Sequence, residues 1–268
     1  YMEEKNYRAE DLFYYEELWQ SWAHHSRFSG IDQQAVLENM NASRRSATEF
    51  LKKAKWLIIT LGSSYSYRLI EKGDLPVANC HRAPAQWFRK HLCTIDETVA
   101  ALDNTLHRLF RFNPQLQVIF TVSPVRHLRD GVVENNRSKA RLLEAVHHLV
   151  GKFNKLHYFP AYELVIDVLR DYRFYDIDLA HPNYQATSFV LEQFRQHYID
   201  EASQALMDKV QQIVTARKHR ASQPETQAHK RFLQSFFEKT KSLQEANPFL
   251  DLAEELNYFQ KAVGGTTD

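Results

Sequence analysis

Lys55-Trp56-Leu57-Ile58-Ile59-Thr60-Leu61, closed by Gly62-Ser63-Ser64, is the stretch whose reading decides the fold. Its apolar residues run on without polar alternation and then stop at a turn. A continuous run of this length reads as a strand buried on both faces, which a parallel sheet between helical layers requires. Leu116-Gln117-Val118-Ile119-Phe120-Thr121-Val122, ended by Ser123-Pro124, repeats the pattern. His157-Tyr158-Phe159-Pro160-Ala161-Tyr162 is a third and weaker case, because Pro160 cannot donate to a central ladder.

Helical periodicity fills the intervals. Thr94 is placed to cap a helix with Asp96 and Glu97 in its first turn and Val99, Leu102, Leu106 and Leu109 on one face. Ser138 is read as the start of a second, with Leu142, Ala145, Val146, Leu149 and Phe153 inward, and Ala186, Phe189, Val190 and Phe194 mark a third. Strand alternating with helix predicts an α/β fold, a doubly wound sheet in a three-layer α/β/α sandwich. Residues 32–54 read as a further helix, behind an aromatic opening that includes Tyr14-Tyr15 and Leu18-Trp19-Gln20-Ser21-Trp22.

Beyond about residue 200 the character changes. Ala205, Leu206, Val210, Ile213 and Val214 predict a long helix, residues 218–229 a polar linker, and Phe232, Leu233, Phe236, Phe237 and Leu243 another helix that Pro248 breaks. The expected organisation is a domain over residues 1–200 and a helical extension over 201–268 without chemistry of its own, its phenylalanines packing on the sheet domain.

Composition narrows the function. The 268 residues, 44% hydrophobic and 13% aromatic, suffice for a sizeable core, and a net charge of +1 gives no reason to expect nucleic acid as a partner. No apolar run approaches the ~18 residues of a membrane span. Cys80 and Cys93 are the only cysteines; they make neither a disulfide framework nor a zinc spacing, which points to a reducing, cytoplasmic compartment. The opening Tyr1-Met2-Glu3-Glu4 does not read as a natural start, so residues upstream are expected.

Asp178-Leu179-Ala180-His181 carries the chemistry. An Asp three residues before a His folds into one tight turn, where the carboxylate holds one ring nitrogen and leaves the other to take a proton from a nucleophile. Alone the motif is weak. Its place after the last α/β unit strengthens it, because ligands of open α/β sheets bind outside the carboxyl ends of the strands. Gly62-Ser63-Ser64 and Ser123-Pro124-Val125-Arg126-His127 are expected at the same edge. Plainer readings stand beside these: Gly62 as a backbone turn, Ser63 and Ser64 as turn or cap residues, and Arg126, His127, Arg129 and Asp130 as an ion-paired loop. Asn79-Cys80-His81-Arg82 is either an oxyanion donor beside a substrate contact or a loop cluster. A metal site from His24, His25, His81 and His127 is not expected, since adjacent histidines usually point apart.

Thr60-Leu61-Gly62, Val77-Ala78-Asn79-Cys80-His81, Thr121 to His127 with Asp130-Gly131, Ser138-Lys139-Ala140, Tyr158-Phe159-Pro160, Asp171 to Tyr175 and Asp178-x-x-His181-Pro182 occur in the order found in the bacterial GSCFA-domain proteins, with His24-His25 and Phe28-Ser29 as a further shared element. Over roughly residues 11–200 the chain resembles that family, which belongs to the SGNH/GDSL hydrolases. The resemblance implies a flavodoxin-like SGNH fold and a serine esterase acting on O-acyl groups of a carbohydrate or small ester. His181 would be its base, Asp178 the residue that orients it, Gly62 with Asn79 the oxyanion site, and His25, His81, Arg126 and His127 substrate contacts. No cofactor or metal is implied, and the oligomeric state is left open. The Gly-Ser-Cys-Phe-Ala motif is absent, and the first strand here resembles the superfamily's third. The first strands and the nucleophilic serine are therefore expected upstream of Tyr1. Ser64 stands where the superfamily has an oxyanion Asn, which keeps open a non-catalytic carbohydrate-binding or scaffold role.

Overall fold

In chain order the described residues form β1 (Phe13–Tyr15), β2 (Leu18–Gln20), α1 (Gln33–Lys53), β3 (Trp56–Leu61), β4 (Tyr65–Leu69), β5 (Leu75–Val77), β6 (Phe88–Leu92), α2 (Ile95–Phe112), β7 (Gln117–Val122), α3 (Val132–Lys152), β8 (Leu156–Tyr158), the one-turn α4 (Ala161–Glu163), α5 (Tyr184–Tyr198), α6 (Glu201–Lys218), α7 (Gln227–Ala246) and α8 (Ala253–Val263). The computed structural model describes Met2 and residues 5–219 and 221–263. The chain divides into two units, Tyr1–Val190 and Leu191–Asp268.

The three apolar runs make one parallel sheet in the order β3-β7-β8. Pro160 ends the third run, so β8 stops at Tyr158. On one face Val118 and Phe120 pack with Leu106 and Leu109 of α2 and Val146 and Leu149 of α3, all buried. On the other, α4 and the buried Val165 lie against β7, whose Ile119 and Thr121 are buried as well. Helices on both faces complete a three-layer α/β/α arrangement.

β3 departs from the expectation of burial on both faces. Leu57, Ile59 and Leu61 pack into the core, but Trp56 and Ile58 are each 52% exposed. The strand sits at the edge of the sheet, where neighbours cover it less completely than the central β7.

A second sheet, antiparallel in the order β5-β4-β6, was not legible in the sequence. Its strands are short and mix tyrosines with cations, as in Tyr65-Ser66-Tyr67-Arg68-Leu69 against Phe88-Arg89-Lys90-His91-Leu92. Cross-strand pairing stabilises it: the Lys90 ammonium lies 4.2 Å from the Tyr65 ring centroid.

Helix starts follow the sequence at one site and not at another. Thr94 caps α2 as expected, its hydroxyl accepting from Glu97 N while Glu97 accepts from Thr94 N. α3 begins at Val132, after Gly131 in a left-handed conformation (φ 87°), and not at Ser138. Ser138 lies inside the helix, 1% exposed, where its hydroxyl does other work.

In the C-terminal unit α6, α7 and α8 surround Ile213, Ala216, Leu233 and Phe259. Phe232, Phe236 and Phe237 pack on this cluster. The phenylalanines assigned from sequence to the sheet domain therefore supply a core of the unit's own. The reason is α8, which the sequence reading missed. It brings the fully buried Phe259 against α7. Among the described residues no helix is long and apolar enough to cross a membrane.

Candidate functional site

The loop that carries Asp178 and His181 is closed by its own backbone. Asp176 N donates to His181 O at 2.8 Å, Leu179 N to Asp176 O at 2.9 Å, and Tyr175 bridges Pro182. Leu179 takes φ 56°, which turns the chain sharply between the two functional residues. Asn183 then anchors the far side, donating to Arg173 O at 2.7 Å and accepting from Gln185 N and Ala186 N at the start of α5.

Within this turn Asp178 has three partners. Its Oδ1 accepts from Ala180 N at 2.9 Å and His181 N at 3.0 Å, and its Oδ2 lies 2.6 Å from His181 Nδ1. The His181 amide, then the Ala180 amide, then the imidazole hold the Asp178 carboxyl down to about 2. An ionised carboxylate accepts and cannot donate, so the network assigns the proton to Nδ1 and makes Nε2 the free base. The pair is open to solvent, with side chains 61% and 47% exposed for His181 and Asp178.

Because the folded carboxyl titrates below its ordinary value, its hydrogen bonds stabilise the loop above the usual carboxylate range, and that contribution is lost as the pH falls through about 2. A carbon-13 NMR titration of the Asp178 carboxyl is expected to show a midpoint near 2; a midpoint near 3.8 means the turn does not persist in solution.

The segment after β7 meets this loop. Arg126 N donates to Ala180 O at 3.1 Å, tying the segment after β7 to the residue before His181. His127 N donates to Asn135 Oδ1 at 2.9 Å. Its ring reaches back to Gly62, where a Cβ would sit 3.7 Å from His127 Nε2. Burial, then the nearby Lys139 charge, lowers the His127 pKa, which favours the neutral imidazole. Gly62 and His127 thus lie together at the carboxyl end of β3, and one backbone hydrogen bond joins the segment after β7 to Ala180.

Two residues of α3 act on the strand ends: Ser138, read from sequence as the start of the helix, and Lys139, to which no contact was assigned. Lys139, 1% exposed, donates to Gly62 O and Ser123 O, both at 2.6 Å, and so fastens the ends of the two strands together. Burial pushes its ammonium down to about 8. Ser138 Oγ accepts from Ser64 N at 2.8 Å and lies 3.2 Å from Ser63 Oγ, while Ser64 Oγ donates to Ser138 O. The hydroxyls of Ser63 and Ser64 are therefore engaged by the helix. A lysine flanked by a serine inside an apolar helical pattern was the available signal, but only the fold shows which carbonyls it meets.

Asn79, His81 and His25 belong to a second cluster. His81 Nε2 lies 2.8 Å from Ser21 O, and its ring packs edge-on against Phe13 and Trp22. Asn79 Oδ1 accepts from His81 N. His25 Nδ1 accepts from Arg27 N in a short turn, and the adjacent His24 packs between Tyr7 and Phe28. Among the described residues His91, Cys93 and Glu97 are grouped closely enough to hold a metal. The Glu97 carboxylate is already taken up by Thr94 N, His91 and Arg68 at the positive end of α2, which makes the group a capping network.

Comparison with known proteins gives a family. The model of the GSCFA family matches residues 1–194, and that of the GSCFA domain protein C-terminal domain matches residues 210–263. No curated protein and no solved structure matches.

Proposed function

The chain belongs to the GSCFA family, and we propose that it is a serine esterase of the SGNH type that removes O-acyl groups, acetyl-like in size, from a carbohydrate or small ester. The observation that carries this reading is the 2.6 Å contact between Asp178 Oδ2 and His181 Nδ1, which leaves Nε2 without a partner among the described residues. In the mechanism, a serine hydroxyl attacks the ester carbonyl carbon as His181 Nε2 takes its proton. The tetrahedral oxyanion collapses, the C–O bond to the alcohol breaks, and the alcohol leaves with the proton from His181. Water repeats the sequence on the acyl-enzyme. Asp178 keeps the imidazole in the working tautomer and stabilises the imidazolium. Gly62 lines the oxyanion site, joined by Asn79, whose Oδ1 is held by His81 N and whose amide hydrogens remain to donate. His25, His81, Arg126 and His127 are the substrate contacts, and neither metal nor cofactor takes part.

The nucleophile in this reading lies on a segment preceding Tyr1, whose strand pairs with the open edge of β3. The terminal place of β3 in the sheet among the described residues, and the position of Gly62 at the end of that same strand, support it. So does the engagement of the nearby hydroxyls: Ser63 and Ser64 face Ser138, and Ser123 Oγ accepts from Val125 N at 3.3 Å. The two free cysteines support a reducing, cytoplasmic setting. One observation favours a non-catalytic carbohydrate-binding role instead: Ser64, in the place of the superfamily's Asn, turns its hydroxyl into the helix and not toward a ligand.

A fluorophosphonate probe tests the assignment. The full gene product is expected to label at a serine preceding Tyr1, and His181→Ala is expected to suppress the labelling. Residues 1–268 alone are expected not to label. Labelling of Ser63 or Ser64 would overturn the placement of the nucleophile, and no labelling of the full gene product by several probes would favour the binding role.

A further inference from the structure

Beside the Asp178–His181 turn lies a depression of about 320 Å³ lined by Arg126, Asn135, Asn136, Tyr162 and Tyr172, among others. Its volume is at the lower end of ligand pockets, about 300–1,000 Å³, so it suits a monosaccharide and not a chain. Arg126 joins the two places: its backbone N–H is bonded to Ala180 O, and its side chain reaches into the depression.

The guanidinium is positioned beside two tyrosines and has no carboxylate partner among the described residues. It lies 4.3 Å from the Tyr175 ring centroid and 5.0 Å from that of Tyr172. Two aromatic contacts of this kind restrict a side chain that would otherwise be mobile, and a guanidinium has more N–H groups than the Tyr175 hydroxyl beside it can take up. Arg126 enters no ion pair among the described residues, whereas the neighbouring Arg173 has Asp171 and Lys90 has Asp130. Asp167 raises the Tyr162 phenol but does not pair with Arg126.

The rest of the lining combines the apolar Val132 and Ile166 with side chains that can donate. Asn135 uses Oδ1 on His127 N and donates its amide to Asn136 Oδ1, so Asn136 presents its own amide hydrogens. Burial raises the Tyr162 phenol, which keeps it a donor. A rigid guanidinium without a carboxylate partner, with an amide and phenols around it, matches a carboxylate flanked by hydroxyls, since guanidinium binds carboxylate through two parallel N–H···O bonds.

We propose that this depression binds the acid group of a carboxylated sugar, with Arg126 meeting the carboxylate, so that the substrate is an O-acylated uronic-type sugar. The proposal rests on the esterase reading for its acyl group, but the anion site stands independently of hydrolysis.

Binding of D-glucuronate, D-glucose and glucose 6-phosphate to the full-length His181→Ala protein, followed by saturation-transfer NMR, tests it. Glucuronate is expected to bind at least tenfold more tightly than glucose, and raised salt is expected to weaken that preference. Arg126→Gln is expected to reduce glucuronate to the level of glucose. Asn136→Asp, which leaves the tyrosine contacts intact and adds a negative charge, is expected to weaken glucuronate at least fivefold, so the test survives if Arg126→Gln fails to fold. Equal binding of glucuronate and glucose, or indifference to both substitutions, overturns the proposal. A tenfold preference for glucose 6-phosphate overturns the carboxylate assignment. Glucuronate binding with no esterase activity in the wild-type protein leaves this site standing and removes the hydrolase.

Discussion

His181→Ala is expected to lower kcat/KM for ester hydrolysis by about 10²- to 10⁴-fold, the range over which a positioned general base acts. The loss falls on kcat, because the imidazole takes its proton only as the transition state forms. Asp178→Asn is expected to cost a similar factor by a different route. An asparagine carbonyl still accepts from Ala180 N and His181 N, so the turn survives. Its amide would then face Nδ1 as a donor, move the ring proton to Nε2 and occupy the atom that must act as base. Steady-state kinetics on a small acyl ester check both, with circular dichroism to confirm the fold. Full activity in either variant would remove the dyad from the mechanism.

Lys139→Met has the largest expected effect on stability. It leaves the Gly62 and Ser123 carbonyls without their donor at the half-buried ends of two strands. A carbonyl left unpaired and shut off from water costs about 1–3 kcal/mol, and partial exposure together with relief of the buried charge offsets part of this, so a net loss of about 1–3 kcal/mol is expected. The pH dependence separates this from ordinary repacking. Burial lowers the native lysine to about 8 against an unperturbed 10.5. Between those values the unfolded chain binds a proton that the native state has released, so stability rises with pH across the window, by about 3 kcal/mol in total. Below pH 8 both states are charged and the contribution is flat. Urea unfolding at pH 7, 9 and 10.5 is expected to show this rise in the wild type and its absence in Lys139→Met. A parallel pH profile in the two proteins would mean that Lys139 is not buried as a charge.

Local chemistry was legible in the chain. The Asp178–His181 contact spans three residues, so one turn builds it whatever the rest of the fold does. The Thr94–Glu97 capping box is equally local. The apolar runs at residues 56–61 and 117–122 announced a parallel sheet because continuous hydrophobicity fits strands packed between layers, although only the second proved covered on both faces. Periodicity was silent where pairing alone makes the element, as in the short polar strands β4, β5 and β6.

Position in three dimensions was decided only by the tertiary structure. β3 and β7 have the same sequence character, yet one is an edge strand with Trp56 and Ile58 exposed and the other is buried throughout, because neighbours and not composition set exposure. Ser138 read as a helix start and Lys139 as a charge in a helix, until the fold set one against Ser64 and the other between two strand ends. Likewise, Arg126 N meets Ala180 O, the residue before His181, across a long stretch of chain, and Asn79 and His81 are tied to Trp22 and Ser21 by contacts that their spacing does not announce. A sequence specifies which groups can donate, accept or turn. Which of them meet depends on how helices and strands distant in the chain are packed.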